Sequence, residues 1–133
     1  MTLSKGNKIV EVDKIVMSAP LPNNEINRVL TLQNYNILDT PPEVAFDHVT
    51  KMAAHYLHSP LSFVTFIDAD RQWIKSCFGV DMQQSDRKLS FCAHAILSNK
   101  VMIVSNALSD SRFRDNPLVS GEPHIRAYAG APL

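Results

Sequence analysis

The sequence of 133 residues is short of glycine, cysteine and net charge. Its 4 glycines stand apart from one another and form neither a G-x-G-x-x-G turn nor a phosphate-cradling loop. Both motifs need glycine at fixed spacing so that backbone N–H groups can approach phosphate closely. That absence argues against phosphoryl transfer and dinucleotide chemistry. The 2 cysteines, Cys77 and Cys92, are too few for a disulfide scaffold. Both lie in apolar company, as buried free thiols do in reducing compartments, and the chain reads as cytoplasmic. Lys plus Arg and Asp plus Glu are 13 each, so the formal net charge is zero. That balance argues against nucleic acid and anionic membrane as partners. No run approaches the ~20 apolar residues that a membrane span needs. The first residues lack the basic start and apolar block of a secretory signal.

What is present suits one domain. A chain of this length buries roughly two-thirds of its unfolded surface, and a hydrophobic share of 45% is that of a globular protein. Residues 1–22 read as an N-terminal tail or linker. They hold an alternating stretch at 9–16 that Pro20 and Pro22 cut off from the rest. Asn23 or Asn24 is placed to cap a helix carrying Ile26, Val29 and Leu30. Thr40-Pro41-Pro42-Glu43 predicts a capping box with proline at the first helical position. The helix that follows would bury Phe46, Val49, Ala53, Tyr56 and Leu57, turn Asp47, Thr50 and Lys51 outward, and stop at Pro60. Residues 61–67 are apolar on both alternating faces, which suggests a central strand. Turn residues Asp68-Ala69-Asp70 then lead to a strand at 72–78, so a hairpin is expected, ended by Gly79. Residues 81–88 read as a polar loop, 101–105 as a short strand, 106–123 as irregular and 125–133 as a strand. The mixed order favours α+β with a mainly antiparallel sheet.

The densest packet of reactive side chains is 87–96. Ser90 is placed to cap a helix on which Cys92, Ala95 and Ile96 share one stripe. His94 falls on another face, because residues two apart on a helix do not meet, so Cys92 and His94 are poorly placed to act as a couple. Cys92 reads as a packed thiol, a ligand-lining thiol or a nucleophile; the last needs a base within hydrogen-bond reach. His94 is the best candidate for a functional histidine, with a satisfied or solvent-facing role as the alternative. Arg112 and Arg126 could clamp an anion, or pair with Asp110, Asp115 or Glu122. Trp73, Phe113 and Tyr128 could wall a flat ligand, or simply fill the core. A zinc site would want about four convergent ligands, and the spacing shows no closed set.

Five stretches carry a family resemblance: 38–43 (LDTPPE), 70–76 (DRQWIKS), 89–96 (LSFCAHAI), 116–119 (NPLV) and 128–133 (YAGAPL). Together, over about residues 24–133, they resemble the bacterial GAF domains found at the N-terminus of sensor histidine kinases and diguanylate cyclases. The resemblance implies a GAF-like, PAS-related central antiparallel sheet flanked by helices at 23–133. It also implies C-terminal truncation, with the last strand and closing helix absent after Leu133. An exposed sheet edge would then invite pairing with another chain. The role implied is a non-enzymatic regulatory sensor in bacterial signal transduction that binds a small molecule of unknown identity or relays a signal, and a homodimer is expected. The signal would pass to an output domain or protein of kinase or cyclase type; charge balance and ligand spacing, as above, argue against nucleic acid, membrane or metal. The pocket would fall near Phe91, Cys92, His94, Arg112, Phe113, Arg126 and Tyr128. Asn106 stands where such domains usually carry Asp, and Ala127 where an aromatic is usual. Two alternatives follow from relatives: a cysteine-dependent reductase of free methionine sulfoxide, and a pure dimerisation module. Bilin attachment through Cys92 does not match the place expected for it.

Overall fold

The computed structural model describes residues 16–133. All but the last residue of the alternating stretch at 9–16 lies outside the described residues. The elements run α1 (Glu25–Asn34), α2 (Val44–Tyr56), β1 (Ser62–Ile67), β2 (Arg71–Phe78), β3 (Gln84–Asp86), a 3-10 turn (Arg87–Leu89), α3 (Phe91–Ala95), β4 (Met102–Val104), α4 (Pro117–Ser120) and β5 (Tyr128–Gly130). The fold is α+β. One antiparallel sheet has the order β1-β2-β3, and a second pairs β4 with β5.

The expected hairpin is present, joined by Asp68, Ala69 and Asp70. Gly79 ends it in the left-handed region at φ +87°, where a Cβ would meet the Pro60 carbonyl oxygen at 2.0 Å. Only glycine tolerates both conditions. Residues 81–88 are less irregular than their polarity suggests. Gln84–Asp86 forms β3 because Arg71, Gln72 and Trp73 leave a second ladder edge for it to pair with. Likewise α4 emerges within 106–123, capped by Asn116, whose Oδ1 accepts the Leu118 N–H at 2.9 Å.

A bulge in β2 organises the helical side. Ile74 pairs with Thr65 and Ser76 with Val64, so Lys75 is an extra residue with no partner across the ladder. Its side chain is 0% exposed. A buried charge requires partners, and Lys75 Nζ donates to Thr40 Oγ1 (2.7 Å), the Pro41 carbonyl (2.8 Å) and Glu43 Oε1 (2.9 Å). This corrects the expected capping box. Thr40 and Glu43 serve Lys75, α2 starts only at Val44, and Glu43 makes no side-chain cap.

The buried face of α2 also differs from the expected one. Thr50 and Ala54 are buried, while Val49, Tyr56 and Leu57 are exposed. Small side chains let the helix approach β2 closely, and polar contacts reward that approach. Ser76 Oγ donates to Asp47 Oδ1 at 2.6 Å and lies 2.9 Å from Thr50 Oγ1. Hydrogen bonding between helix and sheet here outweighs the burial of larger apolar groups.

The N-terminus of α1 is fixed by charge. Asn24 occupies the cap position but its side chain makes no cap bond. Glu25 instead accepts from Arg28 and Arg87, while Arg87 also donates to the Asp68 carbonyl at 2.9 Å. The Arg87 hydrogen bonds hold the Glu25 carboxyl down at about 2.

Candidate functional site

The second sheet and α3 enclose the main apolar cluster of the C-terminal part: Phe91, Val104, Ala107, Phe113 and Val119. Phe91 and Phe113 stack face to face, with centroids 4.0 Å apart and planes within 6°. Phe113 is 0% exposed. Tyr128 tilts against Phe91 at 5.2 Å.

Ser90 caps α3 as its sequence position suggests. Its Oγ accepts the Ala93 N–H at 3.0 Å and donates to Gln72 Oε1. The cap fixes the rotation of α3 against β2. Phe91, Ala93, His94 and Ala95 are then buried, and Cys92 and Ile96 half-buried. The expected stripe of Cys92, Ala95 and Ile96 gives way, because a helix of five residues packs around most of its circumference.

Cys92 and His94 look in different directions, as their spacing predicts. Cys92 Sγ accepts the Tyr128 hydroxyl at 3.2 Å. Burial pushes the Tyr128 phenol well above its ordinary range, and the neighbouring thiol adds to the effect. His94 meets the edge of Phe113 at 4.8 Å and 73°. Its Nε2 lies 3.3 Å from the Met17 carbonyl oxygen. Burial pulls its pKa below the ordinary 6.5, the Met17 bond opposes that shift, and Arg112 reinforces it. A neutral ring therefore donates Nε2–H to the carbonyl.

Arg112 lies over the Phe113 ring, its guanidinium carbon 5.0 Å from the centroid. Asp110 accepts from its Nε at 3.0 Å and from Nη2 at 2.7 Å. Those bonds hold the Asp110 carboxyl below the usual carboxylate range and the guanidinium above its own. The pairing with Asp110 is one of the two roles its sequence position allowed. Nη1 is left facing the Met102 thioether at 3.5 Å.

Of the eight sequence-selected residues, Phe91, Cys92, His94, Arg112, Phe113 and Tyr128 are thus brought together. The other two stand elsewhere. Trp73 is buried on β2, stacked on Phe66 at 6.3 Å. Arg126 donates from Nη1 to the Val119 carbonyl at 2.8 Å and so ties α4 to the approach of β5.

Beside this cluster lies an open groove of about 510 Å³. One wall is α3 and its exit, one is β4, and one is the incoming segment at 17–20. Sequence reasoning selected His94 and Arg112 here but missed Met17, Lys100 and Met102. Lys100 offered one signal, a lone cation in the turn between a helix and a strand. Met17 offered none, because its part in the groove depends on where the tail folds back.

Residues 41–133 match the GAF domain family. The chain belongs to that family. A cyclic di-GMP phosphodiesterase of Pseudomonas aeruginosa is 40% identical over 114 residues. The match covers 86% of this chain and 19% of the relative. The chain thus spans about a fifth of that relative's length. In this GAF domain two of the five sequence stretches have a structural reading. LDTPPE and DRQWIKS hold each other, through Lys75 as described and through Arg71, which reaches both Asp39 oxygens at 2.8 and 2.7 Å. Among the described residues, no helix is long and apolar enough to cross a membrane.

Proposed function

We propose that this GAF domain is a regulatory, non-enzymatic module that binds a small molecule and relays its presence to an output partner of kinase or cyclase type. In this reading it works in the cytoplasm as a homodimer. The observation that carries it is the His94–Met17 hydrogen bond, which makes the segment entering the domain part of the groove wall. A molecule settling in the groove must contact that segment, so occupancy and segment position are coupled. Family membership and the signalling relative support a regulatory role. The exposed Ile26, Leu30, Met52 and Tyr56 on α1 and α2 support self-association.

The test uses fractionated metabolite extract and the full chain. A ligand at about a hundredfold excess over its Kd stabilises the folded state by ~2.7 kcal/mol. For a domain of this size that raises Tm by several degrees. Hydrogen exchange should slow at 17–20 in the same fractions. If no fraction shifts either measurement, the sensory reading fails.

A further inference from the structure

The groove carries information about the chemistry of its occupant. Its charged lining groups, Lys100 and Arg112, are both cations, and the third ionisable group, His94, carries a neutral imidazole. Asp110 satisfies two nitrogens of Arg112 from behind and is not among the lining residues, which leaves Nη1 with only a thioether. Among the described residues, the Lys100 ammonium has no carboxylate partner. The rest of the wall is mainly apolar, with Met17, Pro20, Ala95, Leu97, Val101 and Met102. Cations beside an apolar wall attract an anion that can also bury hydrocarbon.

The geometry points to a small monocarboxylate with an apolar body as the ligand class. This inference rests on the sensory reading above. Lys100 and the Nη1 of Arg112 offer cationic donors in one lining, which suits the oxygens of a carboxylate. Asp110 already balances the Arg112 charge, so the surplus of one positive charge suits a single carboxylate better than the double charge of a phosphate monoester. The apolar body lies against Met102, Val101 and Leu97. The volume suits a ligand of modest size, since small-molecule pockets run to roughly 300–1,000 Å³.

The experiment titrates the full chain with hexanoate and phenylacetate, and in parallel with hexanol, hexylamine and inorganic phosphate. Calorimetry and chemical-shift perturbation are the readouts. The carboxylates should bind saturably, about tenfold or more tighter than the alcohol, with shifts centred on Lys100, Met102 and Arg112. Lys100 is exposed, so Lys100→Met and Lys100→Glu keep the fold, and both should weaken carboxylate binding by about tenfold or more. Equal binding of the alcohol, or preference for the amine or for phosphate, overturns the assignment. Carboxylate binding unaffected by Lys100→Glu places the ligand elsewhere and also overturns it. If carboxylates fail while a metabolite fraction still raises Tm, this inference falls and the sensory reading stands. If carboxylates bind but leave exchange at 17–20 unchanged, the site stands and the relay falls.

Discussion

The imidazole Nε2 of His94 lies 3.3 Å from the carbonyl oxygen of Met17, joining α3 to a segment 77 residues earlier in the chain. A neutral ring makes that bond, and burial keeps it neutral. Arg112 disfavours the charged ring and Asp110 favours it. The folded-state pKa is lowered, so the unfolded chain takes up the proton first as pH falls. The stability contribution is therefore complete above pH 6.5 and is lost as pH drops toward the folded-state value. Urea midpoints measured from pH 8 to 5 should decline below 6.5, and His94→Gln should flatten that part of the profile. An unchanged slope in the variant would remove His94 as the cause.

Glu25 should show the same dependence at lower pH. Its pKa falls from 4.5 to about 2, chiefly through Arg87. Its stabilisation is complete above pH 4.5 and is lost as pH falls toward 2. Glu25→Gln should cost about 1.5–3 kcal/mol at pH 7, the usual range for hydrogen bonds to a charged group. Denaturant titration at pH 7 checks the cost. Hydrogen exchange in α1 should rise more than exchange in β2, because the lost contact holds the start of the helix.

Lys75→Ala should be among the more damaging single changes in the N-terminal part. It removes three hydrogen bonds and opens space between β2 and the loop at 38–43. Glu43 is half exposed and can regain water, so a loss of about 2–4 kcal/mol is expected rather than the full penalty of a stranded buried charge. Lys75→Met restores the stem and should recover part of that loss. Equal losses in the two variants would show that packing contributes nothing there.

Gly79→Ala should cost at least about 2 kcal/mol. It adds left-handed strain of about 1–2 kcal/mol to a clash with backbone. The neighbour is the Pro60 carbonyl oxygen, which cannot rotate away as a side chain would. Thermal unfolding reads the effect, and a neutral result would mean that the β1–β2 end can open without loss.

Cys92→Ala should leave ligand-induced stabilisation intact, because the thiol receives the Tyr128 hydroxyl rather than facing the groove. The variant should lose about 1 kcal/mol of stability from the missing hydrogen bond. Turnover of free methionine sulfoxide by the wild type, abolished in Cys92→Ala, would replace the sensory reading with the reductase one.

Sequence alone determined the elements whose cause is local. The β1–β2 hairpin follows from β-branched and aromatic runs either side of turn residues, and the start of α3 from a serine cap. The divergence of Cys92 and His94 follows from helical spacing. The order of five short motifs also identified the family. Tertiary structure decided what those motifs do. Thr40 and Glu43 could have capped a helix, but a bulge delivered a buried ammonium that needed their oxygens more. Thr50 looked like a solvent-facing residue until Asp47 and Ser76 gave its hydroxyl a buried place. Lys100 and Met17 became groove walls only when distant stretches met. Periodicity reports which face of an element is apolar, whereas a hydrogen-bond partner tens of residues away leaves no mark in the local pattern.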